Sequence, residues 1–188
     1  MEIISHTLSI EKKTITLKLL KIENKDREIL KKVFILWEKI NKDVTEKLYG
    51  ARKLNMPEAI SEAVVCLELG FHKFVSAHGS ANYKTSFDCF DIKTNKRIQV
   101  KCSTSTGPSS FGPESIWDDI YFIDFYNSGM IDGNYKIYKI DSNYIYNAKM
   151  NKNQTLADQQ KEKRRPRFDI RKEIIEKHHL KPLKIGRL

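Results

Sequence analysis

Residues 87–104, FDCFDIKTNKRIQVKCST, decide how this chain is read. They hold two aspartates, a turn signal at Thr94-Asn95-Lys96, and an alternating run in which Gln99 and Lys101 stand two apart. Successive side chains of a strand point to opposite faces, so Ile98 and Val100 share one face and Gln99 and Lys101 the other. The pattern predicts a strand over 98–103, preceded by an extended segment over 85–94. Two registers fit. If Phe87 and Cys89 join Ile98 and Val100 in the core, Asp88 lies across from Lys101, on the face of Gln99. If Phe90 and Ile92 are buried instead, a one-residue shift brings Asp91 there.

A carboxylate, an amide oxygen and an amine on one face suit phosphodiester hydrolysis. The two oxygens can hold Mg²⁺, a hard cation that takes oxygen ligands and keeps several waters. That ion polarises a phosphoryl oxygen and acidifies water, while the lysine orients the water or offsets charge growing on phosphorus. The plainer reading is a polar strand face making surface pairs.

Two helices precede this stretch. In KDREILKKVFILWEKINKDVTEKLYG, residues Ile29, Leu30, Val33, Phe34, Trp37, Ile40, Val44 and Leu48 recur at helical spacing, with Gly50 as a stop, which predicts a helix over 25–49. PEAISEAVVCLELG predicts a second, with Pro57 in its first turn and Gly70 at its C-terminal cap. Val65, Cys66 and Leu69 flank Glu62, and Ile60, Ala63, Val64 and Leu67 form another apolar face. The second helix is therefore buried, and an isolated ionised Glu62 would be costly there; a metal, a water network or a lysine would account for it.

Downstream, extended segments are predicted over 71–76, 119–126 and 135–140, and a final helix over 170–178. The run STSTGPSSFGPES (103–115) is too long for a tight connection, a feature often tied to function. The lead-in LSIEKKTITLKLLKI reads as one or two strands or as irregular chain. The fold class expected is α/β (mixed α+β), a central mixed sheet flanked by helices. One domain spans 1–188: an N-terminal helical segment (1–56) with a possible dimerisation role, a core (57–140) and a basic C-terminal segment (141–188).

Composition fits an ordinary globular domain, 188 residues with 40% hydrophobic and 31% charged side chains. The N-terminus lacks the apolar core of a signal peptide, and no run is long enough to cross a membrane. Cys66, Cys89 and Cys102 have no zinc-ligand spacing, and an odd count argues against a disulfide framework, so a reducing cytoplasm is expected. The net charge of +10 is concentrated at one end: residues 149–188 carry 13 Lys and Arg against 5 Asp and Glu, the rest 21 against 19. A nearly neutral body with a basic end points to a local polyanion-binding surface.

Glu62 on a helix, then Asp88, then Gln99-Val100-Lys101 on a strand resembles the PD-(D/E)XK nuclease superfamily over residues 57–140. IQVKCSTSTGPSSFGPESIWDDIYFIDFY together with RRPRFDIRKEIIEKHHLKPLK is similar to a small group of type II restriction endonucleases that cut GCNGC sites. The resemblance implies a catalytic set of Asp88, Gln99, Lys101 and Glu62. Asp88, Gln99 and Glu62 would be the metal ligands, with Mg²⁺ as cofactor and Mn²⁺ able to substitute. Gln99 stands where a carboxylate is typical, and Phe87 where a proline is. Also implied are double-stranded DNA as substrate, a homodimer, a cognate DNA methyltransferase as functional partner and a prokaryotic cytoplasm. On this reading Arg164, Arg165 and Arg167 can address guanine edges, Asn153 and Gln154 adenines or phosphates, and Ser103 and Ser105 the DNA backbone. Two rivals remain: a repair or junction-resolving nuclease, and a DNA-binding protein on an inactive nuclease fold. His78, His178 and His179 are expected at the surface, and Trp117-Asp118-Asp119 as a strand entry.

Overall fold

The computed structural model describes residues 1–10, 13–48, 52–79, 86–126 and 129–188. Residues 1–56 open not as helix but as two paired strands, β1 (Glu2–Ile10) and β2 (Lys13–Lys21). The reason is the period: Ile15, Leu17 and Leu19 alternate and are all buried, packing with Phe87 and Phe90. A 3-10 turn (Asn24–Asp26) leads into α1 (Arg27–Lys47), two residues inside the predicted start; the expected stop at Gly50 lies outside the described residues. Of the stripe read as core, Leu30, Phe34 and Trp37 are buried, together with Asn41, whereas Ile29, Val33 and Ile40 face solvent. Those exposed residues form a second apolar stripe beside the first.

Helix α2 (Glu58–Leu69) follows Pro57 and ends at Gly70, whose φ of 75° is the left-handed conformation that a C-terminal cap requires. It is buried from Ile60 to Cys66, Glu62 included. This helix and α1 cover one face of the sheet, where Val64, Val65 and Cys66 meet Cys89, Ile98, Val100, Ile123 and Phe125.

The remaining strands are β3 (His72–His78), β4 (Cys89–Asp91), β5 (Lys96–Ser103), β6 (Ser109–Ser110), β7 (Asp119–Asp124), β8 (Asn134–Ile140), β9 (Arg167–Phe168) and β10 (Lys184–Arg187). Eight form one sheet in the order β1-β2-β3-β4-β5-β7-β8-β10; β6 and β9 make a separate pair. All neighbours are antiparallel except β5 and β7. The sheet is thus mixed and helix-flanked, as expected. Residue 85 of the extended segment predicted over 85–94 lies outside the described residues, and the rest reduces to the three residues of β4, because the chain bends at Asp88.

On the other face, the basic segment packs through Phe168, Ile170 and Ile174 against Phe111, Ile120, Phe122 and Ile140. Short helices α3 (Ser142–Tyr146) and α4 (Leu156–Lys161) start at Asp141 and Thr155, each accepting a hydrogen bond from a first-turn amide. The helix expected over 170–178 is a π-helical segment, Arg171–Glu176. Among the described residues no helix is long and apolar enough to cross a membrane.

Candidate active site

The bend at Asp88 builds the site. The Asp88 amide donates to the Ile98 carbonyl (3.0 Å), and Ile98 is also the register partner of Cys89. Two consecutive residues therefore address one, the arrangement of a bulge, which re-aims a side chain. Asp88 consequently faces the start of the Gln99–Lys101 run rather than standing across from Lys101. Its carboxylate accepts the Val100 amide (2.7 Å) and the Gln99 side-chain amide. The two-register question came from assuming one buried face. Both faces are buried here, Cys89 beneath α2 and Phe90 against Leu17 and Leu19. Asp91 turns away, accepting from the Lys93 amide (3.0 Å) and the Thr94 hydroxyl (2.7 Å) in the turn.

Asp88, Gln99, Lys101 and Glu62 line one pocket of about 490 Å³, open to the 103–110 loop and to Arg167. Glu62, 6% exposed, is ion-paired with Lys73 of β3. Burial, then the neighbouring Asp88, pushes its carboxyl up to about 7, against the pull of Lys73. Burial likewise raises Asp88, opposed by the Val100 amide and by Lys101. Lys101 is lowered, chiefly by burial, with Asp88 opposing. Its ammonium lies 5.4 Å from the centre of the Phe111 ring and has no hydrogen bond or ion pair among the described residues.

Gln99 is 5% exposed, and its Oε1 has no hydrogen-bond partner among the described residues. A buried acceptor left unpaired costs roughly 1–3 kcal/mol unless something satisfies it. Among the described residues no three His, Cys, Asp or Glu side chains group for a metal. The donor set instead comprises two carboxylates and this amide oxygen, all hard oxygen ligands of the sort Mg²⁺ takes.

Of the residues read as DNA contacts, Arg167 lies on β9 and lines the pocket. Arg165 is exposed, near enough for its charge to bear on Lys101. Arg164 pairs with Glu162 (3.2 Å). Ser103 and Ser105 line the pocket and bond to each other, the Ser103 hydroxyl donating to the Ser105 carbonyl (2.6 Å). Asn153 and Gln154 sit apart from it in a turn closed by Asn151, and Gln154 bonds Glu162 (2.7 Å). The three histidines named above are exposed, and Asp118 and Asp119 pair with Arg97 and with Lys96 and Lys139.

Sequence reasoning missed Lys73 and Arg171. The Arg171 guanidinium grips Asp124 at 2.6 and 2.8 Å and reaches the Ser103 hydroxyl and the Ser105 carbonyl, each at 3.4 Å, tying the loop after Lys101 to β7. One arginine among 13 basic residues gives no sequence signal of that role.

A family model for the Bsp6I restriction endonuclease matches residues 22–177, a span that includes the pocket and the arginine segment. The chain belongs to the Bsp6I restriction endonuclease family. It is 32% identical over 167 residues to the type II restriction enzyme Bsp6I of Bacillus sp. strain RFL6, covering 87% of this chain and 88% of that protein. No solved structure matches. As a member of the Bsp6I family the chain is a type II restriction endonuclease, a site-specific deoxyribonuclease acting on double-stranded DNA.

Proposed function

We propose that this enzyme is a Mg²⁺-dependent nuclease of PD-(D/E)XK type that cuts double-stranded DNA at a GCNGC-type site. The observation that carries the reading is the buried, unpartnered Oε1 of Gln99 beside the Asp88 carboxylate. Asp88, Gln99 and Glu62 would hold the ion, with Mn²⁺ able to replace it. When bound, Mg²⁺ supplies charge stabilisation at the phosphoryl oxygens and a lowered pKa for water. Asp88 is fixed by the Val100 amide, and Gln99 by its side-chain bond to Asp88, which leaves its Oε1 without a partner among the described residues. Lys101, uncommitted to any carboxylate, donates to the attacking water or to the phosphate oxygens. The basic segment supplies the affinity for DNA. A cognate methyltransferase in the same prokaryotic cytoplasm protects host sites; it is a functional rather than a physical partner.

Unmethylated plasmid digested with Mg²⁺ is expected to give discrete fragments whose mapped ends fall at GCNGC, and chelator is expected to stop the reaction. Nicking that follows DNA structure would favour a junction or repair nuclease, and binding without cutting in either metal would favour an inactive fold.

One pocket serves one strand, so a symmetric site calls for a two-fold homodimer. The surface best suited to it is the second stripe of α1: Ile29, Val33, Leu36 and Ile40 are 53%, 42%, 59% and 51% exposed. Their steps of four, three and four residues read the same in both directions. Antiparallel copies about a two-fold axis therefore lay Ile29 against Ile40 and Val33 against Leu36. Leu36→Glu is expected to convert a dimer to a monomer in sedimentation velocity, and a wild type that is itself monomeric at cleavage concentrations excludes this surface.

A further inference from the structure

Arg167 lies on β9, in the wall of the pocket that Asp88, Gln99 and Lys101 line. We infer that Arg167, with Ser110 beside it, binds the phosphodiester being cut. The inference rests on the Asp88 pocket being the cleavage site and deepens that reading.

The backbone at Arg167 is held on both sides. The Pro166 carbonyl accepts the Phe111 amide (3.0 Å), and Phe168 is buried, its ring stacked on Phe111 at 5.3 Å and 9°. With Phe168 turned into the core, strand alternation turns Arg167 outward, into the wall of the pocket that Asp88, Gln99 and Lys101 share. Its register partner is Ser110, and directly paired residues of antiparallel strands present their side chains on one face. The Ser110 hydroxyl is buried with no hydrogen-bond partner among the described residues. The Arg167 guanidinium likewise has no hydrogen bond or ion pair among the described residues, in contrast to Arg164 and its Glu162.

An exposed guanidinium with no protein partner among the described residues, paired in register with a buried unpartnered hydroxyl, defines a seat for an acceptor-rich anion. Glu58, Glu62 and Asp88 also line the pocket, so a fixed cation in its wall helps to draw in a phosphate. A guanidinium holds its charge at any working pH and fits two phosphate oxygens with parallel hydrogen bonds. Shared lining argues the same way: an arginine in the wall of the pocket that holds Asp88 and Gln99 is placed for the backbone at the cut.

The test is single-turnover cleavage at saturating cognate DNA, with cut sites sequenced, for wild type, Arg167→Gln, Arg167→Lys, Ser110→Ala and Lys101→Met. Arg167→Gln is expected to lower the rate on the order of 10²-fold with unchanged cut sequences, and Arg167→Lys to recover part of the loss. Substrate carrying an uncharged methylphosphonate at the scissile position should bind wild type more weakly and Arg167→Gln no more weakly than it does normal DNA. Cleavage by Arg167→Gln at the wild-type rate overturns the inference, and so does relaxed sequence choice, which would make Arg167 a base reader. If Lys101→Met also cuts at the wild-type rate, the pocket itself is misassigned; if Lys101→Met is dead while Arg167→Gln is normal, only the role of Arg167 falls.

Discussion

Lys101→Met is expected to leave DNA binding within a few-fold of wild type and to reduce cleavage on the order of 10²–10³ or more, the usual consequence of removing one electrostatic group from a reacting centre. The ammonium of Lys101 forms no ion pair among the described residues and rests 5.4 Å from the centre of the Phe111 ring. Burial lowers its pKa, with Asp88 as the chief opposing influence. A charge that the fold disfavours and that pairs with nothing is poorly explained as a structural element. Methionine keeps the length and the contact with Phe111 while removing the charge, so the melting temperature should hold or rise. Retained cleavage would remove Lys101 from the chemistry. A large fall in melting temperature would show that the lysine serves the fold instead.

Some of this site was legible from local pattern alone. Alternation put Gln99 and Lys101 on one face, and the apolar surroundings of Glu62 signalled its burial, which α2 confirms. The register at Asp88 was not legible, because alternation assumes a regular strand with one wet face. The chain instead bulges at Asp88, and β4 is buried on both sides. Stripe counting on α1 failed for a related reason: residues 29, 33, 36 and 40 and residues 30, 34, 37 and 41 have the same spacing, and only tertiary packing selects the second set for the core. Arg171 and Asp124 are 47 residues apart, beyond any local window, and Lys73 meets Glu62 only because the turn at Gly70 folds β3 back beside α2. The pair β6 and β9 has two residues per strand, too short to carry a period, yet it delivers Arg167 to the pocket.

Asp88→Asn should be as inactive as Lys101→Met and yet no less stable than wild type when metal is chelated. Burial raises the Asp88 pKa, and it raises Glu62 to about 7. A carboxyl whose folded pKa exceeds its unfolded value contributes stability that is fully present below the unfolded pKa and is lost as pH rises through the folded one. In chelator, wild-type stability should therefore decline as pH climbs from about 4.5 toward about 7, the interval set by Glu62. Asp88→Asn and Glu62→Gln should each flatten that decline in urea titrations. Adding Mg²⁺ above pH 7 should raise the wild-type melting temperature, since a ligand that binds only the native state stabilises it, and should leave that of Asp88→Asn nearly unmoved. Gln99→Glu should shift in the opposite sense. A third carboxylate beside Asp88 and Glu62 lowers stability in chelator through like-charge repulsion and tightens Mg²⁺ binding by adding charge to the ligand set. Were Gln99→Glu to change neither stability nor the Mg²⁺ midpoint, the Gln99 oxygen would not be a ligand, and its buried, unpaired position would need another explanation.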